Sequence, residues 1–394
     1  MRAALRTGAL AACLSLACWR VPQLGPPLPV AAVPFDAYGG AIYVPAVVNG
    51  DSAWLMLDTG LSRTGLDREW AESVGVREAP GSGAGPGPPT GVVDTIRLGE
   101  LKLPQHRVAL YPLAGLSAAS GRLQRGLLGH DVLQRFAVEI DYLQRRVRFY
   151  DPARYRYKGT GTTVRFTADA DLPLLRASVK VRGRRPIPAR LLLDTGASGL
   201  CMILTTPFAE QHGLHRLAPA IEAPIGTGLV GELHGTIVRL QELRLGGMTI
   251  LAPTTGLGGE YKGFLARTDI DGVIGNSVFE SSRLIVDYAG HRAIVEPPVS
   301  AGAPCDFDMS GMRLTARGPG LKHVVVDYIV PRSPSAEVGI AVGDELLGID
   351  GRAVADGDLS DARKALRSEG AVRQLVLRRD ADTIRVALKL RRLL

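Results

Sequence analysis

Two identical triplets, Asp58-Thr59-Gly60 and Asp194-Thr195-Gly196, could carry chemistry because each follows an apolar run, at 54–57 and 191–193. Such runs predict buried strands, so each Asp would stand where a strand ends in a tight turn. A carboxylate there is costly unless a partner is near. Two carboxyls in contact share one proton, so one pKa rises and the other falls. Such a pair could activate water and protonate a leaving amine, which is amide hydrolysis without metal or covalent intermediate.

A single Asp-Thr-Gly is a weak signal, because Asp and Gly are also common in turns at strand ends. The chain, however, repeats itself well beyond the triplets, in conserved order, which indicates two related domains. The matching segments are 71–76 with 209–214, 98–101 with 245–248, 126–129 with 272–275, and 138–142 with 284–288.

Each copy is expected to be mostly strand. Turn residues at 49–51 and 182–184 predict a hairpin leading into each Asp-bearing strand. A short helix should follow each triplet and end at Gly75 or Gly213, since Gly commonly follows the last turn of a helix.

This order of strand, Asp-Thr-Gly, short helix, Gly-rich hairpin, Leu-Gly, apolar-apolar-Gly, helix and Asp-Tyr resembles the bacterial retropepsin-like aspartyl proteases. The resemblance covers about residues 35–297. It implies a mainly β fold with two tandem retropepsin-like (acid protease) lobes, at 35–157 and 158–297. The second copy continues with Ala197 and Ser198 as in the family, whereas the first has Leu61 where the family usually carries Ala or Ser.

By this resemblance, Asp58 and Asp194 form the catalytic pair. The threonines would hydrogen-bond across to the opposite lobe, and the glycines would admit the substrate backbone, which a Cβ would block. Segments 127–129 and 273–275 would run behind the pair. The residues that support the pair would be Thr59, Gly60, Thr195 and Gly196.

Gly-rich segments in both copies would be flaps that close over a bound peptide. In the first copy, the Gly/Pro tract at 81–89 is equally compatible with a plain surface loop. The second copy is the better candidate, with substrate-contacting residues Gly226, Gly228, Leu229 and Val230.

The pattern changes after a linker at 298–307. Residues 324–351 resemble a bacterial PDZ domain, which implies a small α+β domain at 308–394 with a groove helix at 359–367. PDZ grooves bind extended peptides by strand addition, often at a peptide terminus. The peptide-binding residues would be Gly311, Met312, Arg313 and Leu314.

The N-terminus, with two Arg followed by a short apolar stretch, predicts a signal peptide at 1–22 and a Pro-rich tether at 23–34. Cys13 or Cys18 could carry a lipid, and plain secretion is the alternative. The expected location is the bacterial cell envelope, periplasmic or lipid-anchored, or the medium.

Composition narrows the function classes. Among 394 residues, Lys and Arg exceed Asp and Glu by 8, but the basic residues are scattered without interleaved aromatics, which favours a solvated surface over a nucleic-acid site. The Cys and His spacing matches no metal site, and no cofactor is expected.

We expect Cys201 to be a buried free thiol, with a Cys201–Cys305 disulfide as the alternative.

The leading hypothesis is an aspartic endopeptidase of the cell envelope whose PDZ domain recognises substrates or peptide termini. Since one chain supplies both Asp residues, a monomer should suffice. One alternative is a non-catalytic peptide-binding scaffold that acts through the PDZ domain. Another is a pair of lobes that each dimerise with a second chain, which predicts an obligate oligomer.

Overall fold

The structure is a computed structural model that describes residues 28–83, 85, 87–169, 172–296, 305, 307–354 and 358–394. The expected signal peptide, with Cys13 and Cys18, lies outside the described residues. So do the first part of the expected tether and most of the expected linker at 298–307.

Lobe 1 consists mainly of strands with three short helices. Its elements are β1 (Ala31–Pro34), β2 (Asp36–Tyr38), β3 (Ala41–Val48), β4 (Asp51–Leu57), β5 (Gly65–Asp67), α1 (Arg68–Ser73), β6 (Thr90–Leu98), β7 (Leu101–Tyr111), α2 (Ala114–Ser120), β8 (Gly126–Leu128), α3 (His130–Leu133), β9 (Ala137–Asp141) and β10 (Arg146–Tyr150).

The expected hairpin before the first Asp is present. Strands β3 and β4 pair antiparallel from Tyr43↔Met56 to Val48↔Asp51. Asn49 and Gly50 form the two-residue turn with positive φ angles of 51° and 101°, which Asn-Gly adopts readily. Seven strands of lobe 1 form one sheet in the order β2-β3-β4-β8-β5-β7-β6.

Lobe 2 repeats this plan with a longer hairpin. Its elements are β11 (Thr162–Asp169), β12 (Leu172–Lys180), β13 (Ile187–Asp194), β14 (Met202–Leu204), α4 (Thr206–Gln211), β15 (Ala220–Gly228), β16 (Gly231–Arg239), β17 (Glu242–Leu245), β18 (Met248–Leu251), β19 (Thr254–Gly258), β20 (Gly272–Gly275), β21 (Arg283–Asp287) and β22 (Arg292–Glu296), with 3-10 turns at Leu214–Arg216, Phe264–Ala266 and Asn276–Val278.

The two lobes share a sheet in the order β1-β10-β9-β21-β22-β11. At its centre β9 and β21 pair antiparallel, and Glu139 faces Ile285, its counterpart in the sequence repeat. The lobes are therefore related by a pseudo-two-fold axis through this pair. Residues 31–34, expected to belong to the tether, are instead β1, which pairs with β10 and buries Ala31 and Val33.

The C-terminal domain has its own apolar core, separate from that of the lobes. Its five main strands follow the order β23-β24-β25-β27-β28, and β23 lies at the edge of the sheet. Its elements are β23 (Met312–Arg317), a 3-10 turn (Pro319–Leu321), β24 (His323–Ile329), α5 (Pro334–Glu337), β25 (Glu345–Ile349), β26 (Arg352–Ala353), α6 (Leu359–Ala365), β27 (Val372–Arg379) and β28 (Asp382–Lys389).

The expectation of a free thiol at Cys201 is wrong, because Cys201 forms a disulfide with Cys305. The two residues are 104 positions apart in the sequence, and only the fold brings them together. The Thr254 hydroxyl also donates to the Cys305 carbonyl at 2.7 Å, so the chain before the C-terminal domain is fastened to lobe 2.

Among the described residues, none of the helices has the length and apolar character needed to cross a membrane. The same part of the chain contains no group of three or more His, Cys, Asp and Glu side chains that could hold a metal ion.

Candidate active site

Each Asp of the two triplets lies at the end of a strand that runs parallel to a neighbour. Strand β4 pairs with β8, and the Asp58 amide donates to the Leu128 carbonyl at 3.0 Å. Strand β13 pairs with β20, which places Asp194 opposite Gly275. Segments 127–129 and 273–275 thus run behind the two Asp turns.

The two Thr side chains join the lobes by reciprocal hydrogen bonds. The Thr59 hydroxyl accepts from the Thr195 amide at 3.0 Å and donates to the Leu193 carbonyl at 2.7 Å. The Thr195 hydroxyl accepts from the Thr59 amide at 3.1 Å and donates to the Leu57 carbonyl at 2.7 Å. Both threonines are buried, so this network fixes the two turns relative to each other.

The two glycines lie directly against the carboxyls of the opposite lobes. A Cβ on Gly60 would lie 2.5 Å from Asp194 Cγ, and a Cβ on Gly196 would lie 2.6 Å from Asp58 Oδ2. Each glycine therefore leaves room for the carboxyl of the opposite lobe. An Ala at either position would push the carboxyls apart.

Backbone amides orient the two carboxyls. Asp58 Oδ1 accepts from the Gly60 amide at 2.9 Å. Asp194 Oδ1 accepts from the amides of Gly196 and Ala197 at 2.8 and 3.1 Å. One oxygen of each carboxyl is thereby held by its own turn.

The environment favours a shared proton. Burial, followed by repulsion from Asp194 and a hydrogen bond to it, raises the pKa of Asp58 well above its ordinary value. Burial also raises the pKa of Asp194, while hydrogen bonds from Gly196, Asp58 and Ala197 act in the opposite direction. The two carboxyls therefore titrate as a pair that shares one proton.

The second-lobe flap is a long hairpin formed by β15 and β16, with Gly228 paired to Gly231 and Leu229 and Val230 at its tip. Leu229 packs against a buried cluster of lobe 1, whereas Val230 is 93% exposed. The tip therefore lies closed on lobe 1. The buried members of that cluster are Ala41, Tyr43, Met56, Leu61, Leu113 and Leu127.

The Gly/Pro tract of lobe 1 does not form a comparable hairpin. Its ends are joined by the Ala79 amide, which donates to the Thr90 carbonyl at 2.7 Å, and by the Ser82 hydroxyl at 3.2 Å from the same oxygen. Of the two expected flaps, only the one in lobe 2 extends over the opposite lobe within the described residues.

Leu61, the departure from the family pattern, is buried in the cluster that receives the flap tip. Two further residues near the Asp pair were not identified from the sequence. Tyr111, at the end of β7, packs against the same cluster, and its pKa is raised by burial and then by the charge of Asp58. Leu113 precedes α2 and belongs to the same cluster. Their apolar spacing is that of ordinary core residues, so nothing in the sequence distinguishes them.

The expected peptide-binding residues of the C-terminal domain lie at the start of β23, beside α6. Gly311 has φ of +77°, as a tight loop requires. The Arg313 guanidinium, however, is bonded to Asp327 at 2.8 and 2.6 Å and forms a further ion pair with Glu232 of the flap hairpin. Met312 and Leu314 are buried in the core of the domain.

The structure thus brings together Asp58, Asp194 and their Thr and Gly neighbours, with Gly226, Gly228, Leu229 and Val230 on the hairpin of lobe 2. Gly311, Met312, Arg313 and Leu314 belong to a separate site in the C-terminal domain.

Comparisons with known proteins agree with this architecture. A family model described as aspartyl protease matches residues 44–132 and 177–278. A PDZ domain model matches residues 325–379. A search of curated proteins found no match.

Two solved structures are similar to the C-terminal part. The HtrA3 PDZ domain bound to a phage-derived ligand is 26% identical, covering 21% of this chain and 83% of that one, with a TM-score of 0.19. The photosystem II D1 C-terminal processing protease is 27% identical, covering 21% of this chain and 22% of that one, with a TM-score of 0.20. The chain therefore spans less than a quarter of the second protein.

The two family matches fall on the two lobes that carry Asp58 and Asp194, and the third falls on the separate C-terminal domain. The chain therefore contains two tandem aspartyl protease-like regions followed by a C-terminal PDZ domain.

Proposed function

We propose that this protein is an aspartic endopeptidase that hydrolyses peptide bonds with a water activated by Asp58 and Asp194. The observation that carries the proposal is the contact of two buried carboxyls from opposite lobes, held in place by reciprocal Thr hydrogen bonds. A purely structural pair would gain nothing from this arrangement, because two buried carboxyls in contact destabilise each other when ionised.

We assign the role of base to Asp194, whose Oδ1 accepts hydrogen bonds from the amides of Gly196 and Ala197, and the role of acid to Asp58. Ionised Asp194 takes a proton from the water, and the water oxygen attacks the peptide carbonyl carbon. Protonated Asp58 donates a hydrogen bond and then its proton to the carbonyl oxygen, giving a tetrahedral diol. When the diol collapses, the C–N bond breaks, the amine nitrogen takes the proton that Asp194 accepted from the water, and one diol hydroxyl returns a proton to Asp58. The products are a carboxylic acid and an amine, and the pair regains its starting protonation.

The test is hydrolysis of an unbiased peptide library from about pH 3 to 8. The wild type is compared with Asp58→Asn, Asp194→Asn and the control Asp269→Asn, whose exposed carboxyl pairs only locally with Arg267. We expect cleavage by the wild type and the control, and a loss of at least about a hundredfold in each dyad variant. Full activity in either dyad variant would contradict the shared role of the two carboxyls.

A non-catalytic peptide-binding scaffold is the second candidate, and one observation favours it. Leu61, where related sequences usually have a smaller residue, helps to form the cluster against which the flap tip is closed. If the wild type cleaves no peptide at any pH while the folded protein binds peptides, the scaffold becomes the better explanation.

We also propose that the protein works as a monomer in the bacterial cell envelope. Both halves of the site come from one chain, and the Cys201–Cys305 disulfide is typical of oxidising compartments. Sedimentation of the purified protein tests the first point. Fractionation of expressing bacteria, with thiol labelling of the two Cys, tests the second.

A further inference from the structure

The groove of the PDZ domain is already covered by lobe 1. Helix α2 lies against β23, the edge strand to which a peptide would add. At the end of α2, Gly121 packs so closely on the groove helix that a Cβ there would lie 2.6 Å from Leu359 Cβ. The Gly39 amide of the β2–β3 turn also donates to the Ser360 hydroxyl at 3.4 Å. Lobe 1 thus contacts both walls of the groove.

Arg363 of α6 crosses this groove. Its Nη2 donates to the Leu314 carbonyl on β23 at 2.6 Å and to the Ala119 carbonyl of α2 at 2.8 Å. The Leu314 carbonyl belongs to the edge that strand addition would use. A peptide that pairs with β23 must therefore displace both Arg363 and α2.

The backbone amides of the loop before β23 also find hydrogen-bond acceptors within the loop itself. The amides of Ser310 and Gly311 donate to Asp308 Oδ1 at 2.9 and 2.7 Å, and the Met312 amide donates to the Ser310 hydroxyl at 3.1 Å. A carboxylate of this chain thus occupies the donors that a peptide carboxylate would need. Binding of a peptide terminus there remains a prediction.

The same domain holds the flap hairpin at two points. Arg313 on β23 forms an ion pair with Glu232 on β16 while it is anchored by Asp327. The Tyr328 hydroxyl on β24 donates to the Glu222 carbonyl on β15 at 2.8 Å. Helix α2 also lies against β15, so it is placed between the PDZ domain and the flap.

We propose that the PDZ domain is an intramolecular latch: docked on α2, it holds the β15–β16 flap closed over the Asp pair. This proposal rests on the proposed function, since a latch regulates access to the dyad only if the dyad acts on peptides. A polypeptide that adds to the edge of β23 must displace α2, so it would loosen the flap as well.

The contacts suit a latch that opens reversibly. Arg363 carries a positive charge between two carbonyls, and burial lowers its pKa to about 10. Burying a cation beside neutral carbonyls costs free energy that exposure to water returns. Burial of this charge therefore destabilises the docked state. Removing one favourable contact should then shift the equilibrium between the docked and undocked states measurably.

The experiment compares the full-length wild type with Glu232→Lys, which places two positive charges together at Arg313. The second variant is Tyr328→Phe, which removes only the hydroxyl. The matched control is Glu210→Lys on α4, whose carboxylate accepts from Tyr261 within lobe 2. Amide hydrogen exchange across residues 220–239 reports flap opening, and kcat/KM for a library-derived peptide reports access to the dyad.

We expect both latch variants to exchange at least about fivefold faster in the hairpin and to gain about threefold or more in kcat/KM, with the control unchanged. Wild-type exchange in both latch variants would overturn the latch. Faster exchange without a gain in kcat/KM would overturn its regulatory role. Faster exchange in a protein that cleaves nothing would support the latch while contradicting the proposed protease function.

Discussion

At the scale of single residues, the two carboxyls behave as one titrating unit. Burial and the negative charge of Asp194 both favour the protonated form of Asp58, while amides of the Asp194 turn favour the ionised form of Asp194. The proposed mechanism needs one proton on the pair. The pH values at which activity falls on the acidic and alkaline sides are therefore set by the apparent pKa values of the pair, not by either residue alone.

We predict a bell-shaped dependence of kcat/KM on pH. Activity falls at low pH when both carboxyls are protonated, and it falls at high pH when the pair loses its shared proton. Since the pKa of Asp58 is raised, the alkaline limit should lie well above the ordinary Asp range. Initial rates on one peptide across pH test this, and an alkaline limit near the ordinary Asp value would contradict it.

The free energy of unfolding should also depend on the titration of Asp58. The folded-state pKa of Asp58 is raised, so the unfolded chain releases this proton first, and the folded protein loses stability as pH rises through the interval between the two values. Asp58→Asn cannot ionise, so its free energy of unfolding should exceed that of the wild type above this interval by about 1 kcal/mol or more. Urea unfolding at several pH values measures the difference. A constant difference across pH would count against the prediction.

At the scale of elements, the β15–β16 hairpin closes the site. Its two tip residues point in opposite directions, and only Leu229 contacts lobe 1. Within the part of the chain that the structure describes, the hairpin of lobe 2 closes the cleft, while lobe 1 supplies α2 and the apolar cluster as the surface that receives it.

Leu229→Ser should loosen the tip, whereas Val230→Ser should not. Loss of the apolar contact of Leu229 costs about 1 kcal/mol, which corresponds to roughly fivefold faster amide exchange at the tip. Val230 is 93% exposed and serves as the matched control. Equal exchange rates in the two variants would show that the tip is held by something other than the lobe 1 cluster.

At the scale of the whole molecule, connections beyond the active site also hold the domains together. The β9–β21 pairing joins the lobes, the PDZ domain docks on α2 and the flap, and the Cys201–Cys305 disulfide fastens the chain between lobe 2 and the PDZ domain. Cys201 also accepts the Gly275 amide on its carbonyl at 2.9 Å, so the disulfide lies close to the support of the second Asp turn.

The double variant Cys201→Ser/Cys305→Ser should therefore be less stable. The disulfide closes a long loop of 104 residues, and removing a native cross-link of this kind typically costs about 2–5 kcal/mol. Thermal unfolding of the variant, and of the wild type with and without reductant, measures the loss. An unchanged transition on reduction would contradict the disulfide.

Much of this molecule follows from local sequence. The Asp-Thr-Gly triplets after apolar runs, the Asn49-Gly50 turn and the repeated Leu-Gly and apolar-apolar-Gly segments specify strands and turns through neighbouring residues. The internal repeat then relates the two lobes, and the PDZ-like pattern identifies the last domain. These features determined the fold class and the candidate dyad.

Other features exist only because distant segments meet. The sequence did not show that Gly60 makes room for Asp194, that Cys201 pairs with Cys305, or that Arg313 contacts Glu232, because residues far apart in the chain carry no signal of mutual contact in one sequence. Local patterns determined which elements form and which residues could react. The tertiary structure alone decided the contact of the carboxyls, the occupant of the PDZ groove and the closed position of the flap, since each depends on side chains that packing brings together.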